Sequence, residues 1–479
     1  SSAEETRDLS SYLETTVVIA LPTISTDPVD ELVERVRSRV SRAVDSLQVA
    51  AFLESEGLSD RIARVEYGYA DIFRLADEVY RRLGPCEPTP WPAEAIRPDR
   101  MRALRDVLHG SLYLLPAAVF PAVLTVVGRR SLVLGLILAG GLAWMLAGGA
   151  SWLAYRLLGA GRPGDAARVL RWSALGGLPL AAALGLSVVL VTGDAPWLIA
   201  VAAGQLAYQM ASTLLMFYQR ELLLAPIMAP AVAVGIGYLF LGSQLRTLAI
   251  ALAGTATVAA LALGLRQTLP GGRQQQRPMP RQVLVSELRT LPLVVLYAAG
   301  SAAFLLHAQV PYLLDRIDIA VTVLPLIVGM GFVEWRARRF GERARFWLRR
   351  VRLPSQFVRR VWWALAVETL ACAAVVAALA GPLLLALARW RGPLDPASAA
   401  MAGAYAVLAG AYFLAFLLAE RSRYGWLCGG LGCAIAAHLV ATWIYPAMDP
   451  LWYLGSAVLL QVIFIAGLAP VLGQVQRYR

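Results

Sequence analysis

Lysine and asparagine are both absent from this 479-residue sequence, so all 44 basic residues are arginine. The lack of lysine excludes Schiff-base chemistry and a P-loop phosphate site, and the lack of asparagine excludes N-linked glycosylation. Histidine and cysteine are scarce too, with three and four copies. Because their spacing matches no metal-binding motif, the sequence predicts neither a metal site nor a cofactor.

Long apolar stretches dominate the rest of the chain, which is 58% hydrophobic. A helix needs roughly 20 apolar residues to cross a bilayer. Twelve stretches meet this length, namely 108–127, 131–155, 173–192, 196–218, 221–241, 246–265, 290–307, 319–334, 361–388, 397–418, 424–445 and 451–473. They predict an all-α polytopic membrane protein with about 12 transmembrane helices in two six-helix bundles and a small cytoplasmic N-terminal domain.

The domain boundaries follow from charge and proline content. Residues 1–105 hold 14 arginines against 19 acids, whereas the remainder holds 30 against 13. We therefore predict an N-terminal domain with a proline-rich linker (1–105), a first bundle (106–266), a cytoplasmic linker (267–289) and a second bundle (290–479). Since the basic excess belongs to the membrane part, it indicates cytoplasmic loops and no nucleic-acid partner.

The arginine distribution also predicts the orientation. With both termini inside, the arginines beyond residue 105 divide 24 cytoplasmic to 6 external. This ratio predicts a multi-pass protein of the cell inner membrane with both termini cytoplasmic. We then expect Ser1, Arg343 and Arg349 to be cytoplasmic. Asp194, Asp395 and Asp449 are expected to be external.

The N-terminal region reads as a docking or regulatory module for a cytoplasmic synthase or regulatory partner. Residues 17–21 are β-branched and predict one buried strand. Asp27 is expected to cap a helix that ends near Leu47, and Ser59 to cap a second helix at about 60–83.

Two ionisable side chains inside predicted spans are candidates for a substrate path or a coupling site. Glu368 lies about five residues beyond an interfacial tryptophan pair, and His438 lies in the middle of the eleventh span. Charged groups in lipid are costly, so they are usually functional or paired. For Glu368 the alternative is a structural salt bridge, and for His438 it is hydrogen bonding between packed helices.

A polar stripe on the fourth span is a third candidate. Gln205, Tyr208, Gln209 and Ser212 are spaced by 3, 4 and 7 residues and so share one helix face. Such a face turns towards protein or water, since lipid offers no hydrogen bonds. Either the stripe lines a path for a sugar-like substrate, or it joins neighbouring helices.

The segment 334–360 is rich in arginine and aromatic residues. We expect it to lie at the cytoplasmic interface, where its arginines would meet membrane lipids, an acidic partner or a pyrophosphate. The arginines expected on this surface are Arg336, Arg338, Arg339, Arg343, Arg345, Arg349 and Arg350.

Two loops resemble a known superfamily. The stretch 158–170, LGAGRPGDAARVL, is similar to the loop before the third span of the multidrug/oligosaccharidyl-lipid/polysaccharide flippases. The long loop between spans eight and nine, which begins at Gly331 with GFVEW, resembles the membrane subunit of Pel-type exopolysaccharide export systems. The resemblance implies two six-helix bundles and transport of a glycan.

The leading interpretation is therefore a flippase or exporter of a polysaccharide or lipid-linked glycan that works by alternating access, without enzymatic activity. Three alternatives remain open. These are a polytopic glycosyltransferase or polymerase, for which the pair Asp315 and Asp318 is a weak signal, a multidrug extrusion transporter, and a non-transporting scaffold for a synthase complex.

Overall fold

The computed structural model describes residues 27–40, 43, 45–83, 105, 107, 109–269, 281–350 and 354–472. The chain divides into two compact units, Ser1–Pro98 and Asp99–Arg479. Within the described residues, every regular element is an α-helix or a 3-10 helix, as the sequence predicts. The strand expected at 17–21 lies outside the described residues.

The first unit contains four short helices: α1 (Pro28–Val40), α2 (Ser46–Ser55), α3 (Asp60–Val65) and α4 (Ile72–Leu83). Their apolar faces form one buried core, whose largest members are Val29, Leu32, Val33, Val36, Val40, Val49, Leu53, Ile72, Leu75 and Val79. Burial of these side chains holds together helices that are too short to be stable alone.

Capping side chains decide where these helices begin. The Asp27 carboxylate accepts the Val29 N–H at 2.9 Å, which confirms the predicted cap. The prediction that α1 runs to Leu47 is wrong, because Asp45 caps a new helix there by accepting the Gln48 N–H at 2.9 Å.

The single helix predicted at 60–83 is in fact two helices. Gly68 adopts a left-handed φ of +74° between them, a conformation that glycine permits at little cost. The Ser59 side chain makes no capping hydrogen bond, contrary to expectation. Asp60 instead accepts the Ile72 N–H at 2.9 Å and so ties the start of α3 to the start of α4.

Ion pairs join the end of α4 to the start of α1. Glu78 contacts Arg81 at 2.5 Å and Arg82 at 2.6 Å, and Arg82 also contacts Asp27 at 2.6 Å. Hydrogen bonds from Arg81, and then from Arg82, lower the pKa of the Glu78 carboxyl to about 2. The pKa of Asp27 is also lowered, first by the Val29 N–H and then by Arg82.

Acid should therefore loosen this unit. A carboxylate with a lowered folded-state pKa contributes stability that is complete above its ordinary pKa and is lost as the pH falls towards the folded value. For Glu78 this window lies between about pH 4.5 and about pH 2. We expect faster hydrogen–deuterium exchange in peptides from 28–83 of the full chain across this window, after correction for the intrinsic exchange rate.

Two variants test this expectation. Arg82→Gln should reduce the pH dependence without abolishing it, because it deletes the partner shared by Glu78 and Asp27 but leaves the hydrogen bonds from Arg81 and from the Val29 N–H. Glu54→Gln, on an exposed carboxylate of α2, should leave it unchanged. Equal acid sensitivity in all three proteins would contradict the role of this network.

The second unit holds the membrane helices. The first span (109–123) includes a 3-10 helix at Leu115–Val119 and an α-helix at Phe120–Val123. The helices that follow are α5 (Arg129–Gly159), α6 (Pro163–Thr192), α7 (Trp197–Phe217), α8 (Leu224–Leu241), α9 (Arg246–Gln267), α10 (Arg281–His307), α11 (Val310–Asp315), α12 (Leu324–Arg350), α13 (Pro354–Arg391), α14 (Pro396–Glu420), α15 (Tyr424–Ile444) and α16 (Asp449–Leu472).

All twelve predicted spans coincide with helical segments. Ten described segments are long and apolar enough to cross a bilayer, and one of them, Glu221–Gln267, contains both α8 and α9. The first span is the shorter apolar segment, His109–Val123. Pro116 and Pro121 interrupt its helix, as expected for residues that lack a backbone donor.

The prediction that spans eight and nine are joined by a long loop is wrong, whereas the position of 334–360 at the cytoplasmic interface stays a prediction. Helix α12 continues to Arg350, and α13 begins again at Pro354. At about 1.5 Å per residue, the 38 residues of α13 extend about 57 Å, nearly twice the hydrocarbon thickness. The helices persist because an apolar stripe on each packs into one core, namely Val333, Ala337, Phe340 and Ala344 with Phe357, Val361 and Leu365.

The spans pack as two sets. The first bundle comprises the first span and α5–α9, and the second comprises α10–α16. Helix α5 of the first bundle packs against α10 and α11 of the second. We call the end at which α12 stops and α13 begins the basic end, and the end that carries Asp194, Asp395 and Asp449 the acidic end.

Helix α14 lies at the centre of the second bundle. It packs against α12, α13 and α16, and 83% of the residues in its 18-residue apolar stretch are buried inside the protein. Its sequence alternates small residues with tyrosine and leucine, so neighbouring helices approach closely.

Candidate functional site

Small residues bring the two bundles into close contact. A Cβ placed on Gly148 of α5 would lie 3.1 Å from the Cβ of Ala298 in α10. A Cβ on Gly110, in the first span, would lie 2.7 Å from the carbonyl oxygen of Ile327 in α12. Small residues thus let the helices of the two bundles approach closely, and Trp144 and Trp152 of α5 pack against the buried core of the second bundle.

Polar contacts between the bundles are long at the basic end. His109 Nε2 lies 3.5 Å from a Glu334 carboxylate oxygen, and Arg156 donates to the Ser422 hydroxyl at 3.4 Å. Both distances lie at or beyond the outer limit of a hydrogen bond. Each of these two contacts adds less to the junction than a hydrogen bond of ordinary length would.

Aromatic rings line the same junction. Trp152 of α5 meets Tyr424 of α15 edge-on, with ring centroids 6.4 Å apart. Tyr297 of α10 lies 6.2 Å from the same ring, and the Arg156 guanidinium lies 5.4 Å from the centre of Trp152. The junction thus presents flat apolar surfaces beside polar groups, a combination that binds sugars or flat organic molecules.

The polar stripe of α7 divides into two pairs. The Tyr208 hydroxyl donates to the Leu112 carbonyl at 2.5 Å, and Ser212 shares a hydrogen bond with Tyr113. These two residues join α7 to the first span, as the packing alternative requires. Gln205 and Gln209 are half-buried, and their role in lining a path stays a prediction.

Glu368 lies on α13 and is only 2% exposed. Its two carboxylate oxygens accept from Arg336 and Arg343 of α12. This arrangement is the structural salt bridge that the sequence left open as the alternative for Glu368. A role of Glu368 in coupling stays a prediction.

The other arginines of the expected basic surface fall into two groups. Arg338 is exposed, and the Arg339 guanidinium lies 5.3 Å from the centre of the Trp335 ring. The side chains of Arg345, Arg349 and Arg350 lie outside the described part of the structure. Arg336 and Arg343 differ from both groups, because each is directed at Glu368.

The loop that carries the flippase resemblance makes a tight turn. Gly161 has a left-handed φ of +74° between α5 and α6. Asp165, in the first turn of α6, accepts from both Arg162 and Arg168. Arg171 donates to the Thr268 hydroxyl at 3.0 Å, which fixes α6 to the end of α9.

A polar cluster of four helices lies at the acidic end of the second bundle. His307 of α10 and His438 of α15 share a hydrogen bond of 2.8 Å between ring nitrogens. His438 Nε2 in turn lies 3.1 Å from Oδ1 of Asp449 in α16. Asp449 also accepts from Tyr312 of α11, and from the Thr442 hydroxyl at 3.0 Å.

The sequence indicated only one member of this cluster, His438. His307 ends its helix, where a polar residue is ordinary in the sequence, but its ring lies against that of His438. His438 and Thr442 are four residues apart and share a helix face, which is a usable signal. The contributions of Tyr312 and Asp449 depend on how separate helices pack, which no local pattern shows.

No group of three or more histidine, cysteine or acidic side chains among the described residues is arranged to hold a metal ion. The members of the histidine cluster form a chain rather than a ring around a centre. Both nitrogens of His438 already face protein partners, one towards His307 and one towards Asp449.

Comparisons with known proteins give matches at the level of structure. No family model and no curated protein matches the sequence. The structure of the MATE multidrug transporter DinF-BH is similar with a TM-score of 0.47 and 14% identity, over 78% of this chain and 95% of that one. The Vibrio cholerae MATE transporter VcmN, solved as a mutant, gives 0.40 and 13%, over 79% and 92%.

Proposed function

We propose that this protein is a membrane exporter that works by alternating access, without catalysis. The observation that carries the proposal is the junction between the bundles. Each bundle has an extensive buried core of its own, whereas the two meet through glycine-lined contacts and polar contacts of 3.4 and 3.5 Å. Two bundles with separate cores, joined through α5 against α10 and α11, are suited to rocking against each other.

For the substrate we propose a polysaccharide or a lipid-linked glycan. Gln205 and Gln209 supply half-buried amide groups in the first bundle, and the rings at the junction supply stacking surfaces. Amides and aromatic rings are the groups that recognise sugar hydroxyls and sugar faces. The exposed arginines at the basic end suit a pyrophosphate group, and the resemblance of the loop at 158–170 to glycan flippases supports the same class.

Multidrug extrusion is the second candidate. The aromatic group Trp152, Tyr297 and Tyr424 favours it, because flat organic cations stack on such rings as well as sugars do. Both structural neighbours bear the name of MATE transporters, and one is called a multidrug transporter.

We further propose that the protein lies in the cell inner membrane with the basic end and both termini in the cytoplasm. The arginine excess at that end supports this orientation. The first unit, which has its own core and an acidic surface, would then be available to a cytoplasmic synthase or regulatory partner.

Reconstitution into liposomes tests the function. The probe is a fluorescent oligosaccharide on a polyprenyl pyrophosphate, and its movement between leaflets is measured with a membrane-impermeant quencher. We expect movement above that in protein-free vesicles. In Gln205→Leu/Gln209→Leu we expect it to fall about tenfold, the effect of losing one or two substrate hydrogen bonds.

Gln244→Leu is the matched control, since this glutamine is exposed between α8 and α9, and it should leave the rate unchanged. Ethidium efflux is measured in the same vesicles. Efflux of ethidium without glycan movement would replace the glycan proposal with multidrug extrusion. If neither probe moves, the exporter proposal is wrong.

A further inference from the structure

The histidine cluster at the acidic end forms a continuous hydrogen-bonded chain. His307 Nδ1 lies 2.8 Å from the Ala303 carbonyl oxygen, and its Nε2 lies 2.8 Å from His438 Nδ1. His438 Nε2 lies 3.1 Å from Asp449 Oδ1. The chain therefore contains three links, and His438, at its centre, is only 3% exposed.

Each link needs one proton, because a hydrogen bond joins one donor to one acceptor. The Ala303 carbonyl accepts only, so His307 Nδ1 must carry a proton. A second proton lies between the rings, and a third lies between His438 and Asp449. Two neutral imidazoles carry only two such protons, and an ionised carboxylate carries none. The fully bonded chain thus holds one proton more than two neutral imidazoles and one ionised carboxylate carry together.

The surrounding groups cannot supply that proton. The hydroxyls of Tyr312 and Thr442 are already directed at the Asp449 carboxylate. On α14, Tyr405 accepts from Gln309, and on α16, Tyr453 donates to the Phe304 carbonyl at 3.1 Å.

The nearby charges that the structure shows beyond the cluster are paired with one another. Arg316, which follows α11, contacts Asp318 at 2.9 Å and Asp395 at 2.5 Å. The additional proton must therefore come from solvent.

We propose that His307, His438 and Asp449 form a binding site for one exchangeable proton, and that its binding and release bias which end of the transporter is open. The second part rests on the proposed function. Without the proton, one of the three links lacks a hydrogen, and two acceptors face each other in a buried site. The end of α10 and the start of α11 are then held less firmly to α15 and α16.

The first bundle is positioned to respond. Helix α5 packs directly against α10 and α11, the two elements that contribute His307 and Tyr312. A shift of these elements changes the surface on which α5 rests, and α5 packs in turn against α6 and α7. The proton state is thereby transmitted from inside one bundle to the junction between both.

The scarcity of histidine makes the proton directly observable. The chain has three histidines, so a ¹⁵N-histidine-labelled full-length sample gives three rings, and His109→Gln leaves only the pair in the cluster. At the acidic end of the range from pH 5 to pH 9 we expect three protonated ring nitrogens from these two rings, and at the alkaline end two. Two at every pH between 5 and 9 would overturn the proposal without any variant of the cluster.

A charge variant tests the part of the carboxylate. Asp449→Asn should move the loss of the third proton to a lower pH by about one unit or more, a tenfold change in proton affinity. Asp395→Asn removes a carboxylate at the same end that is paired with Arg316, and it should leave the transition in place. Equal transitions in all three proteins would show that Asp449 is not part of the proton site.

Spin-label distances test the conformational bias separately from transport. Labels replace Trp197 and Trp443, exposed residues at the acidic end of the first and second bundle, in a protein without native cysteines. We expect the distance distribution to change between pH 6 and pH 9, and this change to be absent in His438→Gln. A distance distribution that does not change with pH, or that changes equally in His438→Gln, would show that proton binding does not bias which end is open. Failure of glycan movement while both readouts hold would contradict only the substrate.

Discussion

Replacing Glu368 by glutamine should lower the stability of the protein by about 3 kcal/mol, the low end of the range for breaking a buried ion pair. The carboxylate is 2% exposed and accepts from two guanidinium groups, so its removal leaves two arginines without their anionic partner. Arg336 suffers most, because its side chain is 16% exposed, whereas that of Arg343 is 40% exposed and can regain water. Tryptophan fluorescence during heating of the purified protein measures the effect.

Glu342→Gln is the matched control, since it removes an exposed carboxylate from α12, the helix that carries Arg336 and Arg343, and should leave the melting temperature unchanged. Substitution of Glu368, Arg336 and Arg343 together by leucine should restore most of the stability, because buried ion pairs can be exchanged for apolar packing. Transport per folded molecule in Glu368→Gln should stay near that of the unchanged protein. Abolished transport with an unchanged melting temperature would instead assign Glu368 to coupling.

A disulfide across the junction should stop transport completely. Cβ atoms at Gly148 and Ala298 would lie 3.1 Å apart, close to the separation of bonded cysteines, and these residues belong to different bundles. We expect Gly148→Cys/Ala298→Cys, in a protein without native cysteines, to form a bond under oxidation and to lose glycan movement, because α5 can no longer shift against α10. Reduction should restore it.

A second cysteine pair with nearly the same spacing serves as control. Cβ atoms at Gly264 of α9 and Leu214 of α7 would lie 3.0 Å apart, and both helices belong to the first bundle. This bond should form as readily and leave transport intact. If both cross-links stop transport, the motion is not one of rigid bundles, and if neither does, the junction does not move.

The helices were predictable from the sequence because each carries its own signal. A run of about 20 apolar residues is sufficient to indicate a span, and all twelve coincide with helical segments. The error at 334–360 arose because the many charged residues there were taken to indicate a loop. A regular apolar stripe of four residues from Val333 to Ala344 continues through them. That stripe was visible in the sequence and was the better guide.

The site was predictable only where its members share a helix. The stripe of α7 followed from spacing alone, but its hydrogen bonds to Leu112 and Tyr113 did not. The partners of Glu368 are 25 and 32 residues away, His307 and His438 are 131 residues apart, and Tyr312 and Asp449 are 137 residues apart. Such contacts depend on helix rotation and crossing, which hydropathy does not determine.

The enclosed position of α14 has a consequence for how the chain is assembled in the membrane. Its main neighbour, α16, follows it in the chain, so α14 enters the bilayer before the surface that will cover it exists. Lipid occupies that face until α16 arrives and displaces it. Translation of Asp449–Leu472 is therefore the step that closes the second bundle, and a chain truncated before Asp449 should be removed by quality-control proteases although fifteen of the sixteen numbered helices are complete.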